Sequence, residues 1–137
     1  MDIFSSLSSF TDIGLLVLRI VLCGIFLVHG VSKWPNWRTP EPGNAPNPMR
    51  PILCFLAVVE PLGAIGLLVG LLTPFAAIGL GFVMMGAIYF KITTWKTGFA
   101  SQTTTGWEFD LLILASLFLL VLTGAGMYSL DALVFWR

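Results

Sequence analysis

Charge is scarce in this chain. Only 10% of its 137 residues are Asp, Glu, Lys or Arg, against about 25% in an ordinary soluble domain. With 57% hydrophobic residues and a mean hydropathy of +0.93, too little polar surface is left to clothe a water-soluble fold. Seven basic residues balance seven acidic ones, so no basic stripe exists to meet phosphates, which argues against nucleic acid as a partner. Histidine occurs once and cysteine twice, with no Cys-x-x-Cys. A metal centre wants three or four convergent ligands, so none is expected. Asp2 is the one charge before Asp12. With no basic n-region and no small-residue cleavage site, a secretory signal is not expected either.

What the chain has instead is apolar runs: Ile13–Val31, Ile52–Leu72, Phe75–Phe90 and Leu111–Leu130. A helix needs about 20 residues to cross the hydrocarbon, and in lipid a chain of this kind satisfies its backbone only as helix. The third run is short and is expected to extend through Ile92, with Lys91 snorkelling. The chain therefore reads as one all-α domain over residues 1–137, an antiparallel four-helix membrane bundle with spans near 13–32, 52–72, 75–92 and 109–127. Thr73-Pro74 makes a tight hairpin, Pro74 suiting the first helical turn. The link Trp34–Arg50 differs, because six of the eight prolines lie between Pro35 and Pro51. That stretch cannot be helix and reads as an extended spacer.

Trp34, Trp37, Trp95 and Trp107 mark one membrane interface and Trp136 the other, as an aromatic belt requires. Trp107 is also a candidate for stacking on a ligand. Lys33, Arg38, Arg50, Lys91 and Lys96 fall in the first and third loops, while Arg137 stands with Asp2, Asp12 and Asp131 at the termini. Positive-inside counting places loops 33–51 and 91–108 in the cytoplasm and both termini outside.

Two charges sit deep in apolar runs: Arg19 in the first and Glu60 in the second. A charge near the bilayer centre costs roughly 3 kcal/mol or more on insertion scales. Counted from helix ends that share one surface, Glu60 lies about 13 Å deep and Arg19 about 19 Å. The difference is one helical turn, so the two are expected to face the bundle interior in a direct or one-water contact. His29 is expected on the same cavity, nearer the loops. Arg19, Cys23, Phe26, Gly30 and Lys33 share one helical stripe. Pro61 frees the carbonyl of residue 57, an acceptor beside the carboxylate. Such a pair either fixes helix register or handles a ligand or proton, and both readings stay open.

Nearer the loops, His29 is expected to hydrogen-bond a carboxylate, Glu108 or Asp110. Cys23 and Cys54 lie at depths too different for a disulfide and read as packing residues. Gly66 with Gly70, and Ala77 with Gly81, have the small-x-x-x-small spacing of close helix contacts. Gly24-Ile-Phe-Leu-Val-His against Gly86-Ala-Ile-Tyr-Phe-Lys is a faint echo of a two-plus-two repeat.

The segments "LRIVLCGIFLVHGVSKW", "EPLGAIGLLVGLLTPFAA" and "GWEFDLLILASLFLLVLTGAGMYSLD", in this order, resemble the DoxX family of small bacterial membrane proteins. The order arginine, His-Gly, membrane glutamate, Gly-Trp-Glu and Tyr-Ser-Leu-Asp carries the resemblance, and the first loop is longer than is usual in the family. The resemblance implies a multi-pass protein of the bacterial inner membrane, similar to the membrane subunit of a thiosulfate:quinone oxidoreductase and to proteins linked to thiol and superoxide defence. It places the family's polar positions on Arg19, His29, Glu60 and Glu108. Without haem-ligand pairs, a flavin motif or a thiol pair, the chain is not expected to run redox chemistry alone, and no cofactor is predicted beyond a bound quinone or lipid.

Three functions follow. The leading one is a non-catalytic subunit or anchor of a redox-linked complex, in contact with redox partner subunits or a second copy. Its polar intramembrane pocket, built from Arg19, His29, Glu60, Glu108 and Trp107, would take a quinone-like or lipidic molecule. The others are a small proton-coupled transporter of an organic or lipidic substrate and a scaffold that recruits soluble enzymes through its cytoplasmic loops.

Overall fold

The computed structural model describes residues 10–38, 48–101 and 104–135, and all regular structure among them is helical. Four long helices run up and down in chain order: α1 (Thr11–Val31), α2 (Arg50–Val69), α3 (Thr73–Thr93) and α4 (Trp107–Thr123). A 3-10 turn, Trp34–Trp37, follows α1, and a short helix, α5 (Leu130–Phe135), follows α4. Most of the proline-rich loop, residues 39–47, and Trp136 lie outside the described residues. By length and composition α1 with its 3-10 extension, α2 and α3 can each cross a membrane. Helix α4 has 17 residues, about 25 Å of helix, at the short end of the spanning range.

Each helix buries a narrow stripe at i+3 and i+4 steps and leaves the rest to lipid. On α1 the stripe is Leu15, Arg19, Leu22, Cys23, Phe26 and Gly30, as the sequence spacing predicts. On α2 it is Ala57, Glu60, Ala64 and Leu67, on α3 Thr73, Ala77, Leu80, Gly81 and Met84, and on α4 Asp110, Ile113, Leu117 and Leu120. Helix α1 packs chiefly on α2 and α3 chiefly on α4, while α2 and α3 touch less extensively. Two tight hairpins are thus joined by a looser seam. Both cysteines are free, with Cys23 buried in the core.

The α2–α3 turn closes by bonds the helix end requires. Gly70, left-handed at φ 67°, follows the last residue of α2. Leu71 N–H donates to Gly66 C=O and Gly70 N–H to Leu67 C=O, the paired pattern that satisfies orphan carbonyls at a helix end. Pro74 falls in the first turn of α3.

The fourth helix ends earlier than its apolar run. Residues 109–127 were the expected span, yet the helix stops at Thr123. Gly124 (φ 74°) and Gly126 (φ 77°) take backbone conformations closed to most residues, and the chain turns back into the bundle. The carbonyls released there become ligands for Arg19.

Candidate functional site

The terminal end of the bundle is closed. Arg19, 1% exposed, sends Nε to Leu67 C=O (2.8 Å), Nη2 to Leu68 C=O (2.8 Å), and Nη1 to Ala125 C=O (2.6 Å) and Tyr128 C=O (2.9 Å). Leu67 and Leu68 are in the last turn of α2, where carbonyls with acceptor capacity to spare (that of Leu67 also takes Gly70 N–H) and the negative end of the helix dipole favour a cation. Around this knot Asp131 accepts from Leu72 N–H (2.7 Å) and Thr73 N–H (2.9 Å), capping α3. Asp12 accepts from Met127 N–H (2.8 Å). The Tyr-Ser-Leu-Asp motif therefore reads as a latch: a backbone ligand for Arg19 followed by a helix cap.

This corrects the expected Arg19–Glu60 pair. The carboxylate of Glu60 binds Lys33 instead, Nζ to Oε2 at 2.6 Å. Leu67 and Glu60 are seven residues apart on α2, about 10 Å along its axis. Helices α1 and α2 do not share one starting level at the loop end. Pro61 lies directly against Gly30, near the end of α1, where a Cβ would collide with the proline ring. Helix α2 continues about 15 Å beyond that contact, alongside the 3-10 turn. Trp34 Nε1–H donates to Ala57 C=O (3.0 Å) and Trp37 Nε1–H to Cys54 C=O (3.3 Å). The carbonyl that Pro61 frees is thus taken by an indole, and the belt tryptophan sets helix register.

The loop end is open. Residues of all four long helices enclose a cavity of about 620 Å³. Apolar residues, among them Phe26, Phe55, Leu56, Phe82, Val83 and Phe90, make most of its wall, and His29, Lys33, Glu60, Lys91 and Asp110 are its charged or titratable groups. Two ion pairs face it. Lys33 also donates to its own helix end at His29 C=O (2.8 Å). Lys91 Nζ lies 2.6 Å from Asp110 Oδ2; this contact is ionic and lacks hydrogen-bond geometry, since Oδ2 has no hydrogen-bond partner. Glu60 is 3% exposed, and its Oε1 accepts no hydrogen bond from any described residue. The His29 imidazole is likewise unpartnered among the described residues, so its expected bond to a carboxylate is replaced by the Lys91–Asp110 pair. A polar vestibule of about 690 Å³, bounded by the α3–α4 loop, shares His29, Lys91, Trp95, Phe109 and Asp110 with this cavity.

Of the five residues read from sequence, then, the structure brings His29 and Glu60 to one cavity. Arg19 is in the closed end. Trp107 stands edge-on to Phe99, ring centroids 4.6 Å apart, and lines neither cavity. Glu108 is exposed and meets the same loop through its N–H, which donates to Phe99 C=O (3.1 Å). Gly106 presses on that carbonyl so closely that a Cβ would not fit. Gly-Trp-Glu is therefore a loop-closing motif. The residues that sequence reading missed are Lys33, Lys91 and Asp110 as cavity groups and Trp95 as a wall. Lysines ending a span look like snorkelling residues, and only the fold turns them inward.

The sequence profile of the DoxX family matches residues 14–92. An uncharacterized protein of Haemophilus influenzae is 30% identical over 127 residues, 93% of this chain and 95% of that protein. A Bacillus subtilis protein named "Putative oxidoreductase CatD" is 29% identical over 125 residues, 90% of this chain and 89% of its own. No solved structure matches.

Proposed function

Since the chain belongs to the DoxX family of helical membrane proteins, we propose that it is the membrane subunit or anchor of a redox-linked complex, with a quinone-like or lipidic amphiphile held in the loop-end cavity. One observation carries the reading. An apolar chamber inside the membrane ends in a carboxylate oxygen and an imidazole that no described residue engages. A quinone head needs donors for its carbonyls and a route for protons. Lys33, Lys91 and His29 are the donors, Glu60 Oε1 is the acceptor, and the vestibule brings water to the shared wall. Electrons come from a partner subunit. The relationship to a protein named as an oxidoreductase supports the redox link.

The transporter reading fits less well. Alternating access needs the chamber to reach both surfaces, and the way to the terminal end is sealed by Leu67, Leu117 and Leu120, each no more than 1% exposed, and by the four bonds of Arg19. The excess of basic residues at the loop end supports a cytoplasmic loop end and external termini; cysteine-accessibility mapping that finds Asp131 cytoplasmic would reverse this.

The test is native mass spectrometry of the full chain released from membranes. A quinone or lipid should stay with the wild type and be lost from Glu60→Gln/His29→Ala, which should still fold. A wild type that carries neither, or a double variant that carries the same molecule, refutes the reading.

A further inference from the structure

Glycine is the poorest helix former after proline, yet α3 carries Gly79 and Gly86 in its interior at no visible benefit. Neither has positive φ, and a Cβ built on either meets nothing within 4 Å. Packing does not explain them, in contrast to Gly63, where a Cβ would strike Leu80. The two are seven residues apart, two turns on one face, with Val83 between them, and all three line the loop-end cavity. They keep one wall of that cavity low.

The seam between α2 and α3 gives the cavity a side opening. Near the turn the helices touch, Gly63 at Leu80 and Gly66 at Ala76. From Glu60 to the loop end residues of both helices line the cavity, and its walls Phe55 and Phe82 are 64% and 66% exposed on a surface that meets lipid. From Lys91 down to Gly79 the slot runs about 18 Å along α3. At its inner level stands Glu60, whose Oε1 accepts no hydrogen bond from any described residue, and at its mouth stand His29 and the Lys91–Asp110 pair.

We infer that the α2–α3 seam is a chain-binding slot, entered sideways from the bilayer, that takes a single-tailed amphiphile with its tail along Gly79 and Gly86 and its polar head toward His29 and Lys91. The inference rests on the amphiphile reading above and adds the route, the tail length and the two residues that set it. Fatty acids and isoprenoid quinones share this chemistry.

The full chain in phosphatidylethanolamine–phosphatidylglycerol vesicles is irradiated with a diazirine-bearing palmitate, and the labelled residues are mapped by peptide mass spectrometry. Label should concentrate on residues 52–59 and 79–90, above the level at the lipid-facing residues Val17 and Val21. Excess ubiquinone or unlabelled palmitate should displace it. Gly79→Leu/Gly86→Leu places about four carbons per site where tail carbons lie, so cleft labelling should fall by more than ~100-fold, with the thermal midpoint equal or higher. If that variant does not fold, Gly79→Ala/Gly86→Ala should still lower labelling about tenfold. Label spread evenly over all lipid-facing helices overturns the slot, as does cleft label that the substitutions leave unchanged. Cross-links between copies through Gly86→Cys also overturn it, since a second chain would then fill the seam. Loss of label in the leucine variant with none in Glu60→Gln/His29→Ala retains the slot and removes the polar-head reading; the opposite result removes the slot and retains that reading.

Discussion

The two ends of this bundle bury charge in opposite ways. At the terminal end Arg19 uses four hydrogen bonds to helix-end and turn carbonyls, and Asp12 and Asp131 are spent on backbone N–H groups. At the loop end Glu60 is as buried, but Lys33 engages one oxygen and the other faces a chamber. The cost of bringing a charge into the membrane is similar at both ends. Where the protein saturates the group, the charge is architecture. Where it leaves a lone pair over, the remaining valence is available to something that is not protein.

The contrast can be broken most easily at Arg19. Arg19→Met should destabilise the bundle by about 2–6 kcal/mol, the span between four membrane hydrogen bonds at their average worth of ~0.6 kcal/mol and four charge-assisted ones at ~1.5 kcal/mol. Unfolding in detergent with denaturant measures it, and a loss below ~1 kcal/mol would make the closed end no more structural than the open one. Asp131→Ala removes a two-pronged cap and should cost about 1–2 kcal/mol by the same assay, with no effect on any amphiphile retained at the other end.

Glu60→Gln sharpens the comparison from the other side. Lys33 is 17% exposed at its side chain and can turn to water, so the stability change should stay within ~1 kcal/mol while the retained amphiphile is lost. A large stability loss with the amphiphile kept would place Glu60 with Arg19 among the structural groups. The smallest effect is expected at Trp34→Phe. The ring still fills its place, but the Ala57 carbonyl beside Pro61 loses its donor, at about 0.5–1 kcal/mol in the same unfolding assay.

Much of this was readable in the linear sequence because the membrane makes composition decisive. Apolar runs of spanning length can only be helices in lipid. The i+3/i+4 stripe on α1 named its buried face, and Thr73-Pro74 named its turn. The Ala57 carbonyl freed by Pro61 was also legible, although its partner was not. The early end of α4 had its signal in Gly124-Ala-Gly126, which an uninterrupted apolar run concealed.

Partners across the fold were not legible. Arg19 and Glu60 look like a pair because they are the two deep charges of opposite sign, and only the axial offset of α1 against α2 shows them to be about a helical turn or more too far apart. That offset follows from Gly30 meeting Pro61 and from indoles docking on α2, contacts between residues up to 31 apart that no local pattern records. Lys91 and Asp110 read as interface residues until the α3–α4 hairpin turns them toward one chamber. The sequence by itself determined the solvent, the four long helices and the buried face of α1, because those depend on local hydropathy and period. The tertiary structure alone decided which buried charges are saturated and which face a cavity, because that depends on helix register, and register is set by shape at a few close contacts.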